Sequence, residues 1–101
     1  MSELKELSDL SQQVSDLYAA RFGIERDATW HLAKLTEELG ELQAAYLKMA
    51  GQGRTTSCPA DLRRAMEDEA ADVFAQLLLF ADWQEIDLKE ALRQKWAPYL
   101  E

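Results

Sequence analysis

LAKLTEELGELQAAYLKM, residues 32–49, carries apolar side chains at alternating steps of three and four: Leu32, Leu35, Leu39, Leu42, Tyr46 and Met49. That period belongs to one face of an α-helix, and it predicts a helix from about Ala28 to Ala50 with Asp27 as its N-cap. The flanking sequence repeats the pattern. Leu4, Leu7, Leu10, Val14, Leu17 and Tyr18 predict an earlier helix from about Glu3 to Phe22, ended by Gly23. After the loop GQGRTTSCP, Pro59 suits the first turn of a third helix from about Ala60 to Trp83. Its second half, VFAQLLLFA, is apolar almost all round and calls for cover on several sides. A fourth helix opens at Asp87, where DLKE is a capping box and Ile86 is placed for a hydrophobic staple, and it carries Leu88, Leu92, Trp96 and Leu100. No segment has the alternation of a strand. The expected fold is an all-α bundle of four to five helices over a single domain, residues 1–101. A chain this short buries a limited share of its surface, so association into a dimer or tetramer is the expected way to complete the core.

Composition narrows the function classes. Nineteen acids against eleven bases give a net charge of −8, which repels nucleic acid and anionic membranes. No run of apolar residues is long enough to span a membrane, and MSELKELSDL lacks the basic and apolar regions of a signal peptide, so a cytoplasmic setting is expected. Cys58, the single cysteine, has neither a second thiol nor a spaced histidine pair for zinc and reads as a core or loop thiol.

The acids within the stripes are the chemical signal. At about 100° per residue, with Leu35 as zero, Glu38 falls at about −60°, Glu41 at about −120° and Glu37 at about 200°. Glu38 therefore borders the apolar stripe and Glu37 faces away. In the third helix, with Val73 as zero, Glu69 falls at about −40° and Asp72 at about −100°, whereas Glu67 and Asp68 point outward. Two helices thus each offer an i, i+3 pair of acids on one stripe edge, and antiparallel packing would gather four carboxylates. Such a cluster repels itself until a cation or a proton relieves it, unless Lys34 pairs with Glu38. Oxygen ligands without histidine suit Mg2+, with Mn2+ as a substitute. His31, the one histidine, falls on the same edge near about −40°.

These residues also carry a resemblance. EELGE, with Glu37, Glu38 and Glu41, followed after a loop by EAAD, from Glu69 to Asp72, resembles the EExxE and ExxD signature of the MazG-like, all-α nucleoside triphosphate pyrophosphohydrolases. KLTEELGEL, EDEAADVFAQLLLFA and IDLKEALRQKW resemble consecutive blocks of that family over roughly residues 28 to 97. The resemblance implies an enzyme that holds Mg2+ through Glu38, Glu41, Glu69 and Asp72 and cleaves a (d)NTP between its α and β phosphates, releasing the monophosphate and pyrophosphate. It further implies catalytic roles for Glu37 and Glu38 at the attacking water, a homodimer or homotetramer, and a part in clearing unwanted nucleotides. Lys34, Arg54 and Lys95 are candidates to clamp phosphate, with Lys95 matching a lysine of the family's last block. Trp30 and His31 are candidates at the substrate, and Trp83 or Trp96 would serve as other stacking surfaces. Members often carry an asparagine shortly after that lysine; here KWAPYLE follows and the chain has none. The competing readings are a helical interaction protein with a solvated acidic face and a module that binds metal and nucleotide without turnover.

Overall fold

A computed structural model describes residues 2–100. Four α-helices, α1 (Glu3–Phe22), α2 (Ala28–Met49), α3 (Pro59–Trp83) and α4 (Leu88–Trp96), are followed by a 3-10 turn over Ala97–Leu100. There is no strand among the described residues. The helix starts follow from local chemistry: the side chains of Ser2, Asp27 and Asp87 accept from the backbone N–H of Lys5, Trp30 and Glu90 at 3.1, 2.8 and 3.1 Å. At α3 the cap position is Cys58, which makes no capping hydrogen bond, and Pro59 sets the first turn instead.

Three helix ends share one geometry. After α1, Gly23 takes a left-handed φ of 63° and the Ile24 N–H returns to the Ala19 carbonyl. After α2, Gly51 has φ 78° and Gln52 returns to Leu47. After α3 the same return runs from Ile86 to Ala81, joined by Glu85 to Asp82, but here the left-handed residue is Glu85, at φ 54°.

The α2–α3 hairpin is the principal packing unit, and α1 lies against α3. The hairpin is antiparallel: His31 meets Gln76 and Glu38 meets Glu69, so two turns forward on one helix match two turns back on the other. Between α1 and α3 the Ser8 hydroxyl, nearly buried, donates to Asp82 Oδ2 at 2.6 Å. The α4 helix has no extensive packing against the other three.

Among the described residues the apolar ones buried within one chain are few: Ala19, Leu78, Leu79 and Ala81. The α1 stripe is correctly periodic yet mostly uncovered, with Leu17 73 % exposed. Leu39, Tyr46, Phe74, Leu92 and Trp96 are exposed as well. The accessible surface is 7840 Å², where a folded monomer of this mass exposes about 5,800 Å². The Cα radius of gyration is 16.1 Å, against about 13 Å for a compact domain of this length. The helices and their registers are formed, and much of the apolar surface they were expected to bury lies open in the single chain. No described helix is long and apolar enough to cross a membrane.

Candidate functional site

The i, i+3 spacing places Glu38 and Glu41 on successive turns of α2, and the antiparallel register sets Glu69 of α3 opposite them. One carboxylate oxygen from each of Glu38, Glu41 and Glu69 lies within 4.8 Å of the others. Glu38 and Glu69 each also hold a buried oxygen, Oε2, with no hydrogen-bond partner. Three acids therefore face one another without a lysine or arginine among them, and two have unsatisfied oxygens. Buried polar atoms of this kind are rare without a reason.

The electrostatic consequence is large. Burial, contact with Glu41 and the charges of Glu41 and Asp72 push the Glu38 carboxyl from its ordinary 4.5 up to about 7. Glu69 is raised by burial first and by Glu41 and Asp72 next. Burial and Glu41 also raise Asp72. Asp72 is thus coupled to the cluster, but it lies outside the close trio and lines the adjoining groove next to Glu38.

Glu37 points away from the trio, as its helical angle requires, and is ion-paired with Lys34 at 3.1 Å. The alternative pairing of Lys34 with Glu38 does not form: one turn of helix brings the i, i+3 partner within reach first. The ammonium group of Lys34 lies 5.7 Å from the Trp30 ring centroid. Desolvation pulls the Lys34 pKa down, and the Glu37 and Glu38 carboxylates more than reverse this.

A groove of about 540 Å³ begins at Glu38 and Asp72 and runs between α1, α2 and α3. Its walls include Leu10, Val14, Tyr18, Trp30 and Phe74, and Ser11, Ser15, Lys34 and Gln76 supply polar groups. Trp30 and Lys34 are thus at the groove. Arg54 and Lys95 are not brought to the acids: neither forms an ion pair or hydrogen bond with them, and neither lines the groove. Trp83 and Trp96 also lie outside its lining. His31 is fully buried between α2 and α3, with Nδ1 2.9 Å from Gln76 Oε1 and Nε2 unpartnered. Its angle on its own helix predicted an edge position; the facing helix covers that edge.

No known protein family, characterised protein or solved structure matches the chain at a significant level. The site is therefore described by its own residues. Sequence reading missed the α1 wall and Gln76. Gln76 did carry a signal, as the only polar residue in VFAQLLLFA. The α1 contribution had none, because Leu10, Val14 and Tyr18 read as ordinary stripe residues.

The donor set fits a hard divalent cation. All its ligand atoms are carboxylate oxygens, the preferred ligands of Mg2+ and Mn2+, and the orphaned oxygens of Glu38 and Glu69 have no donor to satisfy them among the described residues.

Proposed function

We propose that this chain is a Mg2+-dependent nucleoside triphosphate pyrophosphohydrolase, which converts a (d)NTP into the monophosphate and pyrophosphate. The observation that carries this reading is the convergence of Glu38, Glu41 and Glu69 from two antiparallel helices, two of them with unsatisfied buried oxygens, with Glu38 also lining an aromatic-walled groove. The order and spacing of the acids in EELGE and EAAD support it independently.

In this reading Glu38, Glu41 and Glu69, with Asp72 beside them, hold the cation. When bound, Mg2+ neutralises charge on the phosphate oxygens and polarises the phosphorus toward attack, and Mn2+ is a chemically similar substitute. Lys34, at the groove, donates to a phosphate oxygen, and Glu37 holds that ammonium in place through its ion pair. Glu38 is the first candidate to take the proton of the attacking water. The water oxygen bonds to the α-phosphorus, the bond from that phosphorus to the bridging oxygen breaks, and pyrophosphate leaves with the electron pair. Trp30 and Tyr18 flank the space left for the nucleoside. Such chemistry suits a cytoplasmic enzyme acting on the nucleotide pool.

The working unit in this proposal is a homodimer or homotetramer. A single chain exposes about 2,000 Å² more than a folded monomer of its mass, so two chains together carry an excess of about 4,000 Å², within the range of roughly 2,000–5,000 Å² that obligate dimers bury over both partners.

The deciding experiment incubates the protein with Mg2+ and a panel of ordinary and modified (d)NTPs, resolving nucleotide and phosphate products, alongside Glu38→Gln. Equal amounts of monophosphate and pyrophosphate, lost in the variant, are the expected result. Diphosphate with orthophosphate would place the cleavage at another bond, and an absence of products would shift the reading to binding without turnover or to a helical interaction module.

A further inference from the structure

Gln76 is the polar interruption of the apolar half of α3, and it faces the groove one helical turn, about 6 Å along the axis, beyond Asp72. Its carboxamide is not free to turn. His31, with no solvent exposure at all, places Nδ1 2.9 Å from Gln76 Oε1. No other hydrogen bond holds the Gln76 side chain among the described residues. With the Nδ1–H donating to Oε1, the carboxamide oxygen is committed to the imidazole, and the NH2 group of this groove-lining residue has no hydrogen-bond partner among the described residues. The same tautomer leaves the unpartnered His31 Nε2 as a bare acceptor rather than a buried N–H, the less costly of the two orphans.

We propose that Gln76, oriented by His31, reads the edge of the nucleobase and selects bases that present a carbonyl there: uracil, thymine, guanine and hypoxanthine over cytosine and adenine. This rests on the groove receiving a nucleotide, as in the function proposed above. A base carbonyl accepts from the Gln76 NH2. An exocyclic amino group at the same point sets donor against donor beside the apolar side chains of Leu10, Val14, Tyr18, Trp30 and Phe74 and forgoes that hydrogen bond. Gln76 is the specificity residue, and His31, which touches no ligand, is a positioning residue.

The test compares kcat/KM for dUTP against dCTP and for dITP against dATP. Each pair differs at the exocyclic carbonyl or amino group. The keto member should be favoured by about tenfold or more. Gln76→Met, similar in shape without the amide, should bring both ratios close to one, and Gln76→Glu, which presents an acceptor in place of the donor, should favour the amino member. His31→Leu should relax the ratios mainly through KM, and His31→Asn, which keeps a donor near the position of Nδ1, should restore them. Equal use of dUTP and dCTP by the wild type, or discrimination that survives Gln76→Met, overturns the assignment. Calorimetry with the non-hydrolysable α,β-imido analogues of dUTP and dCTP separates this from the catalytic proposal. Keto-selective binding without turnover would sink the hydrolase reading and leave base selection standing; equal affinity, or no binding of either, overturns base selection.

Discussion

In Glu38 the carboxyl group stays protonated up to about pH 7, because ionising it desolvates a charge next to Glu41 and within the field of Asp72. A carboxyl whose pKa is higher in the folded than in the unfolded chain favours folding at low pH and loses that contribution as pH rises from about 4.5 to about 7. Glu69 and Asp72 shift in the same direction. In chelator, the thermal midpoint should fall across that window, and millimolar Mg2+ should restore it at the alkaline end; scanning calorimetry at a series of pH values checks both. A midpoint that rises with pH there would show that the acids are not in contact. Glu38→Gln removes one of the facing charges. It should raise the chelator midpoint near pH 8 and lower kcat about a hundredfold or more. A gain in stability together with a loss of turnover is the mark of a strained functional site, and the two readouts together tell it from a merely structural acid.

At the scale of the elements, the left-handed end of α3 stands out, since Glu85 occupies the position that Gly23 and Gly51 fill after α1 and α2. A side chain there costs about 1 kcal/mol that glycine does not. Glu85→Gly should therefore stabilise the protein by up to about 1 kcal/mol in urea unfolding, with unchanged activity. The opposite sign is expected of Ser8→Ala, which removes the bond from a nearly buried hydroxyl to the exposed Asp82 carboxylate and should cost about 0.5–1.5 kcal/mol. Much of this level was legible in the sequence. Asp27, Gly23, Pro59 and Asp87 mark helix boundaries through local chemistry, and the angular positions of Glu37, Glu38 and Glu69 on their helices agree with the structure. What failed depends on the neighbouring helix. Arithmetic on α2 alone puts His31 on an edge, but α3 covers it, and arithmetic on α3 alone cannot say that Asp72 stands beside the trio rather than within it. Arg54 and Lys95 were candidates by charge and resemblance, and neither the loop nor α4 carries them to the acids.

For the whole molecule the controlling quantity is surface. An apolar stripe with Leu17 and Val14 exposed, and an α4 carrying exposed Leu92 and Trp96, give a lone chain little resistance to unfolding. Sedimentation at micromolar concentration should show a dimer or larger species, and the thermal midpoint should climb with protein concentration. In a lone chain Leu17→Glu would change stability by no more than about 0.5 kcal/mol, as at any open surface position. In an assembly that buries this stripe it should release monomers and lower the midpoint sharply, so sedimentation of the variant tells the two cases apart. The exposed thiol of Cys58, ahead of α3 and the chain's only cysteine, makes the protein a ready subject for site-directed spectroscopy. A spin label attached there gives each subunit one reporter without mutagenesis, so a two-fold dimer yields one inter-label distance and a tetramer a set of them. The same label would register any opening of the α2–α3 hairpin on addition of the nucleotide proposed as substrate.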